Sequence, residues 1–195
     1  MVNARRPSSL PAATRGTHAF SFKIGPDPAA SWAIPRNWEH LLTLIRPATA
    51  DDAGAVSLVI LRALRETNAG DYPQSVIARV ESSFSATAVR RLIAGREVFV
   101  AVVQGRIVGT ASLDGSTVRA VFVVPDLQGR GIGRLLMARV VESGRDKGLA
   151  ALLVPSSVTA EPFYAKLGFK VLRENLDGEE RTVVMELGLG TGRGS

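Results

Sequence analysis

Residues 119–133 read Arg119-Ala120-Val121-Phe122-Val123-Val124-Pro125-Asp126-Leu127-Gln128-Gly129-Arg130-Gly131-Ile132-Gly133, and the run Arg134-Leu135-Leu136-Met137 follows at once. The apolar stretch Val121–Val124, closed by Pro125, predicts a strand. Gln128–Gly133 predicts a glycine turn, and the amphipathic residues after it a helix. A strand, a turn and a helix start in that order gather several backbone N–H groups around one point. The first amides of a helix have no intrahelical partner and carry partial positive charge, so that point suits a pyrophosphate. Glycine lets the main chain approach an anion without Cβ atoms in the way.

The spacing excludes two familiar phosphate loops. A dinucleotide fold needs Gly-x-Gly-x-x-Gly; here the pattern is Gly-x-Gly-x-Gly, with no acidic residue at the usual distance in a following strand. A Walker loop ends in Gly-Lys-Ser or Gly-Lys-Thr, whereas Gly133 precedes Arg134-Leu135. The pattern from Gln128 to Gly133, (Gln or Arg)-x-x-Gly-x-(Gly or Ala), instead resembles the acyl-CoA loop of the GNAT N-acetyltransferase family. A second stretch, Ala160-Glu161-Pro162-Phe163-Tyr164-Ala165-Lys166-Leu167-Gly168-Phe169, is similar to that family's late Ala-x-x-Phe-Tyr-x-x-x-Gly-Phe segment. The likeness runs from about Leu44 to Leu187.

Read outward from the loop, the elements fit one domain. Leu41–Arg46 predicts a strand. Thr49 caps a helix through about Glu66, with Asp51 and Asp52 in its first turn. A second helical stretch spans about 73–94, with a break near 82–85. Glu97–Val103, Ile107–Leu113 and Thr117–Val124 are strands joined at Gln104-Gly105 and Asp114-Gly115. A helix over Gly131–Lys147 places Ile132, Leu135, Leu136, Val140 and Val141 on one face, and Gly148 ends it. Ala150–Val154 is a strand, a short helix holds Tyr164, and Lys170–Leu176 with Arg181–Leu187 form a last hairpin. This order matches an α+β GNAT fold: a mixed sheet of six to seven strands, about four helices on both faces, and a splayed strand pair holding CoA. The domain is expected at 41–188, with a flexible extension at 1–40 and a tail at 189–195. Trp32 and Trp38, which bracket Pro35, are expected to cover an edge of the domain.

Composition narrows the function classes. The net charge of +6 comes from 24 basic and 18 acidic residues. Half of it lies in residues 1–40, with five basic residues against two acidic ones. The remaining excess suits an anionic cofactor and does not indicate nucleic acid. The chain has no cysteine, so a thiol nucleophile, a disulfide and a Cys-based zinc site are all impossible. His18 and His40 are its two histidines, so a His-centred triad or metal site is not expected, and the expectation is no metal. No apolar run has the length to cross a membrane. A cytoplasmic protein without membrane or nucleic-acid partners is the expectation, and family analogy suggests a homodimer through sheet edges.

The resemblance implies acetyl-CoA as co-substrate, with its pantetheine arm against the main chain of Phe122, Val123 and Val124. It implies Gln128, Gly129, Arg130, Gly131, Ile132 and Gly133 around the pyrophosphate, the backbone N–H of Gln128 among the donors. Arg130 and Arg134 are placed to neutralise phosphates. Tyr164 is implied as the general acid that protonates the departing thiolate; read without the loop, it is a core aromatic beside Phe163. Pro155 has two readings. It either ends its strand or lies where the strand has parted from its neighbour, because proline cannot donate to a ladder.

Two positions depart from the family pattern. Ser157 stands where many relatives carry a cofactor-contacting Asn, and its hydroxyl can still donate one bond. Arg119 stands where many carry an acidic general base. Asp114, Asp71 and Glu81 are substitute candidates, or a water chain serves. A cation at 119 also repels a bare amine and attracts a carboxylate-bearing substrate. The expected function is direct transfer of acetyl from acetyl-CoA to a primary amine of a small molecule or peptide. The alternatives are an acyl-CoA-binding or sensing module without activity, and a nucleotide binder resting on the glycines alone.

Overall fold

The computed structural model of the chain describes residues 42–66, 83–177 and 180–190. The extension with Trp32, Trp38, His18 and His40, the stretch 67–82 with Asp71, Tyr72 and Glu81, and the last residues of the tail lie outside them. Strand β1 (Thr43–Pro47) leads through a 3₁₀ turn, Ala50–Asp52, into helix α1 (Ala53–Glu66). Helix α2 (Ala86–Gly95), strands β2 (Glu97–Val103), β3 (Arg106–Asp114) and β4 (Thr117–Val123), and a 3₁₀ turn at Pro125–Leu127 follow. Then come α3 (Ile132–Asp146), β5 (Ala151–Ser157), α4 (Glu161–Lys166), β6 (Lys170–Asp177) and β7 (Glu180–Gly188). They form a seven-stranded sheet of order β1-β2-β3-β4-β5-β7-β6. Neighbours run antiparallel except β4 and β5, which are parallel. This is the expected α+β GNAT architecture.

The core is set by β3. Every residue from Ile107 to Leu113 is buried, as in a strand covered on both faces. Helices α1 and α3 both pack on it. Two glycines seat α3. A Cβ on Gly109 would lie 3.0 Å from Leu136 Cδ1 and 3.1 Å from the Phe122 carbonyl. A Cβ on Gly144 would lie 3.0 Å from both Leu152 and Leu189. Larger residues at either position would lift the helix, and overpacking of this kind costs about 1–3 kcal/mol. Phe99, Ile60, Leu136, Met137, Leu152 and Met185 are fully buried, each contributing about 1.5–3 kcal/mol.

Local chemistry explains the element starts. Arg46 donates to Asp52 through two nitrogens, at 2.7 and 2.9 Å, and the Thr49 N–H donates to Asp52 Oδ2 at 2.7 Å. Asp52 thus ties β1 to the turn that precedes α1, and the Arg46 guanidinium holds its carboxyl well below the usual carboxylate range. The Ser85 hydroxyl accepts from the Ala88 N–H (3.3 Å) and caps α2, so the helix in the described part of the stretch expected at 73–94 starts at Ala86.

Two expectations need correction. Leu135 is 46% exposed and Val141 half-buried; the face of α3 that meets the sheet carries Ile132, Leu136, Met137, Val140, Ser143 and Gly144. Gly144 lets α3 approach Leu152 and Leu189 there, and Leu135 lies off this face. Second, β5 does not end at Pro155. It runs to Ser157, with Pro155, Ser156 and Ser157 in register with Val184, Val183 and Thr182 of β7.

Candidate active site

The β4–β5 pair is where the sheet opens. One register pair, Thr117 with Leu153, joins the two strands, and the Leu153 N–H donates to the Ser116 carbonyl at 2.9 Å. Backbone groups alternate sides along a strand. The nitrogen of Pro155, two residues on, therefore points toward β4 as well, into the part where no pairing exists. A residue without an N–H costs nothing there. Of the two readings of Pro155, the parted-strand reading is the one this geometry carries.

A bulge starts the separation. Ser112 pairs with Arg119 and Thr110 with Phe122, so Ala120 and Val121 together oppose Ala111, and Ala120 has φ +50°. A non-glycine residue in that region stores about 1–3 kcal/mol, and a bulge bends and twists its strand. Beyond it, the Val124 N–H donates to the Val108 carbonyl (2.9 Å) and its side chain is buried. Val124 is thus committed to β3, not offered to the gap. The Val123 carbonyl accepts from Gln128 Nε2 at 3.1 Å. The Gln128 backbone N–H, expected to face an anion, closes the 3₁₀ turn on the Pro125 carbonyl at 3.1 Å.

The glycine loop continues from that turn. Gly129 and Gly131 have φ of +72° and +81°, which glycine alone adopts without strain. Gly131 immediately precedes α3, which starts without a side-chain cap. Its first amides therefore face the loop mouth rather than a protein oxygen. Gly133 serves differently: a Cβ there would lie 3.2 Å from Phe163 Cζ and 3.3 Å from Cε2. It keeps α4 against the start of α3. Arg62 of α1 donates to Asp126 at 2.8 Å and so fastens the turn that leads into the loop. Sequence reasoning missed this clamp, whose partners are 64 residues apart.

These parts enclose a cavity of about 470 Å³, within the range of small-molecule sites, about 300–1,000 Å³. Of the expected site residues, Phe122, Val123, Gln128, Gly129, Gly131, Ile132, Gly133, Arg134, Ser157 and Tyr164 line it. Val124 and Arg130 do not. Ala63, Val121, Leu127, Thr159, Ala160 and Phe163 line it without having been singled out. The Ser157 hydroxyl accepts from the Ala160 N–H at 3.3 Å, which leaves its own proton to donate. Tyr164 is 6% exposed and sits edge-on between Phe163 and Phe169, at ring distances of 5.0 and 5.7 Å. Burial pushes its phenol well above the ordinary tyrosine value, so it keeps its proton. The Phe84 ring meets Phe122 edge-on at 6.1 Å, and the Ser57 hydroxyl donates to the Phe84 carbonyl at 2.6 Å.

No carboxylate lines this cavity among the described residues. Asp114 lies at the other end of β3, 4.0 Å from Arg96, and does not reach it. Asp71 and Glu81 lie outside the described residues. Among those residues no group of three or more His, Asp or Glu could hold a metal, and no helix is long and apolar enough to cross a membrane.

Comparison with known proteins decides the family. The profile described as "Acetyltransferase (GNAT) domain" matches residues 68–186. The chain belongs to the GNAT acetyltransferase family. It is 38% identical over 85 residues to a glucosamine 6-phosphate N-acetyltransferase of Trypanosoma brucei brucei, a match spanning 38% of this chain and 58% of that one. It is 26% identical over 131 residues to the uncharacterized N-acetyltransferase YafP of Escherichia coli, spanning 67% of this GNAT chain and 83% of that one. Among solved structures, a PaiA N-acetyltransferase of Thermoplasma acidophilum in complex with coenzyme A superposes with a TM-score of 0.65 at 20% identity, over 75% of this chain and 99% of that one. A GCN5-related N-acetyltransferase from Rhodopseudomonas palustris gives a TM-score of 0.69 at 24% identity, over 74% and 94%. These two show the fold.

Proposed function

We propose that this GNAT chain transfers acetyl from acetyl-CoA directly to a primary amine of a small molecule or peptide. One observation carries the reading. The open edge of β4, the glycine loop with the uncapped start of α3, and the protonated Tyr164 all face a single cavity. The loop amides and Arg134 suit the diphosphate, the parted strands suit the extended pantetheine arm, and Ser157 can donate a hydrogen bond beside it. Arg130 is kept as a phosphate ligand of the outer loop.

In the reaction the amine nitrogen forms its bond to the acetyl carbon and the carbon–sulfur bond breaks. The departing thiolate takes the Tyr164 proton, and the surplus proton of the nitrogen leaves to water; solvent restores the phenol. Tyr164 suits the task by position: it lines the cavity in which the thiolate forms and enters the step protonated. A chain without cysteine has no thiol to form a thioester acyl-enzyme, which favours direct transfer. The nitrogen must arrive neutral. At pH 7.5 an α-amine is about one-third neutral and a lysine amine only about one part in a thousand, so α-amine-like acceptors are favoured.

Arg119, a cation where an acid is common, favours one rival: an acyl-CoA-binding module without activity. Thiol release from acetyl-CoA across a panel of amines separates the two. Release that depends on the amine supports the transferase; binding of acetyl-CoA with no release for any amine supports the module. We keep a cytoplasmic location and a homodimer as parts of this proposal.

A further inference from the structure

Arg119 stands opposite Ser112, and Phe122 opposite Thr110. Ser112 and Thr110 are two residues apart, so they share a face of β3, and their partners share the matching face of β4. The bulge at Ala120–Val121 absorbs the odd residue. Arg119 therefore lies on the face from which Phe122 lines the cavity, about 7 Å along the sheet.

Charge on that face is unbalanced. Arg119 is exposed, and among the described residues its guanidinium has no ion pair or hydrogen bond. Its neighbour Arg96 has a side chain only 11% exposed, a 4.0 Å approach to Asp114 as its ion pair, and a buried Nε without a hydrogen-bond partner. Burial lowers the Arg96 pKa most; Asp114 opposes that shift and the positive charge of Arg119 adds to it. Two guanidinium groups thus act on each other, and the one half-exposed carboxylate beside them approaches Arg96. A bare cationic amine is repelled there, whereas an anion settles against the fork of Arg119.

We infer that the acceptor carries an anionic group, carboxylate or phosphate, beside its amine, and that Arg119 is the residue that selects it. The inference rests on the acetyltransferase reading above and names its acceptor class. The anion fixes one end of the acceptor at β4 and holds the amine toward the gap, so Arg119 determines specificity and takes no part in bond making.

The test uses the full chain saturated with acetyl-CoA and two acceptor pairs: phenylalanine against phenylalaninamide, and O-phosphoethanolamine against ethanolamine. In at least one pair the anionic member is expected to have a kcat/KM about 10–100-fold above its partner, chiefly through KM, and the pair that responds tells carboxylate from phosphate. Arg119→Gln should collapse that ratio toward one, and Arg119→Lys should keep part of it. Because the ratio is compared between wild type and variant, differences in amine pKa within a pair cancel. Equal or better turnover of the members that lack the anion, no turnover of any member, or a preference that survives Arg119→Gln overturns the inference. Calorimetry with acetyl-CoA keeps the two levels apart. A protein that binds acetyl-CoA without the preference loses only this inference, and one that binds none loses the underlying reading.

Discussion

The two edges of β4 differ sharply. Toward β3 the strand is laddered from Thr117 to Val123 with one bulge. Toward β5 it makes one register pair. Both edges belong to one seven-residue strand, so propensity does not explain the difference. Ladder groups left unpaired cost free energy unless water or a ligand takes them. Phe99 and Ile60 on one side of the gap and Leu152 and Met185 on the other are all buried, so the ladder is missing between two packed halves. The candidate site lies where a ladder is withheld.

The largest effect is expected at the glycine loop. Gly131→Val puts a β-branched residue at φ +81° and methyl groups at the anion point. CoA affinity should fall about 100-fold or more by calorimetry, with strain of about 1–3 kcal/mol read as a lower melting temperature. Next is Tyr164→Phe, which should lower kcat about 100-fold, as loss of a general acid does, with acetyl-CoA affinity little changed. Burial raises this phenol's pKa, so its proton is retained to higher pH. The rate should persist through the alkaline range where a free tyrosine, with a pKa of about 10, ionises; a decline centred at or below that point would count against Tyr164.

The laddered half should respond in stability alone. Asp52→Ala removes the acceptor of Arg46 and of the Thr49 N–H and should cost about 1–2 kcal/mol in denaturant unfolding, without changing CoA affinity. The sign with pH follows from the depressed folded pKa of Asp52. Its contribution is complete above the unfolded value of about 4 and is lost as pH falls further, so the gap between wild type and variant should narrow in acid. The smallest effect is expected from Leu135→Ala, within about 0.5 kcal/mol because the side chain is exposed. Leu136→Ala, one residue on and fully buried, should cost about 2–5 kcal/mol.

Much of this was legible in the residues, for local reasons. The glycine loop, the strand before it and the helix after it are contiguous, so spacing alone placed them. The hairpins were marked by Gln104-Gly105 and Asp114-Gly115. What stayed hidden depends on contacts distant in sequence or on backbone states without a residue signature. Ala120 gives no sign of a positive φ. Nothing near Gln128 shows that its N–H turns back to Pro125. The Arg62–Asp126 clamp joins α1 to the loop, and periodicity cannot choose between Leu135 and Met137 for the inner face of α3. Pro155 was the informative exception: its missing donor was readable, and the side on which it was missing needed the register with β7 and the single link to Ser116.

Calorimetric titration of the folded protein with acetyl-CoA asks whether the withheld ladder and the glycine loop together hold coenzyme A. Saturable one-site binding is expected, with a Kd between about 1 μM and 1 mM, weakened about 100-fold by Gly131→Val. Folded wild-type protein that takes up no acetyl-CoA, or a Gly131→Val variant that binds it equally well, would rule out coenzyme A binding at this gap and loop.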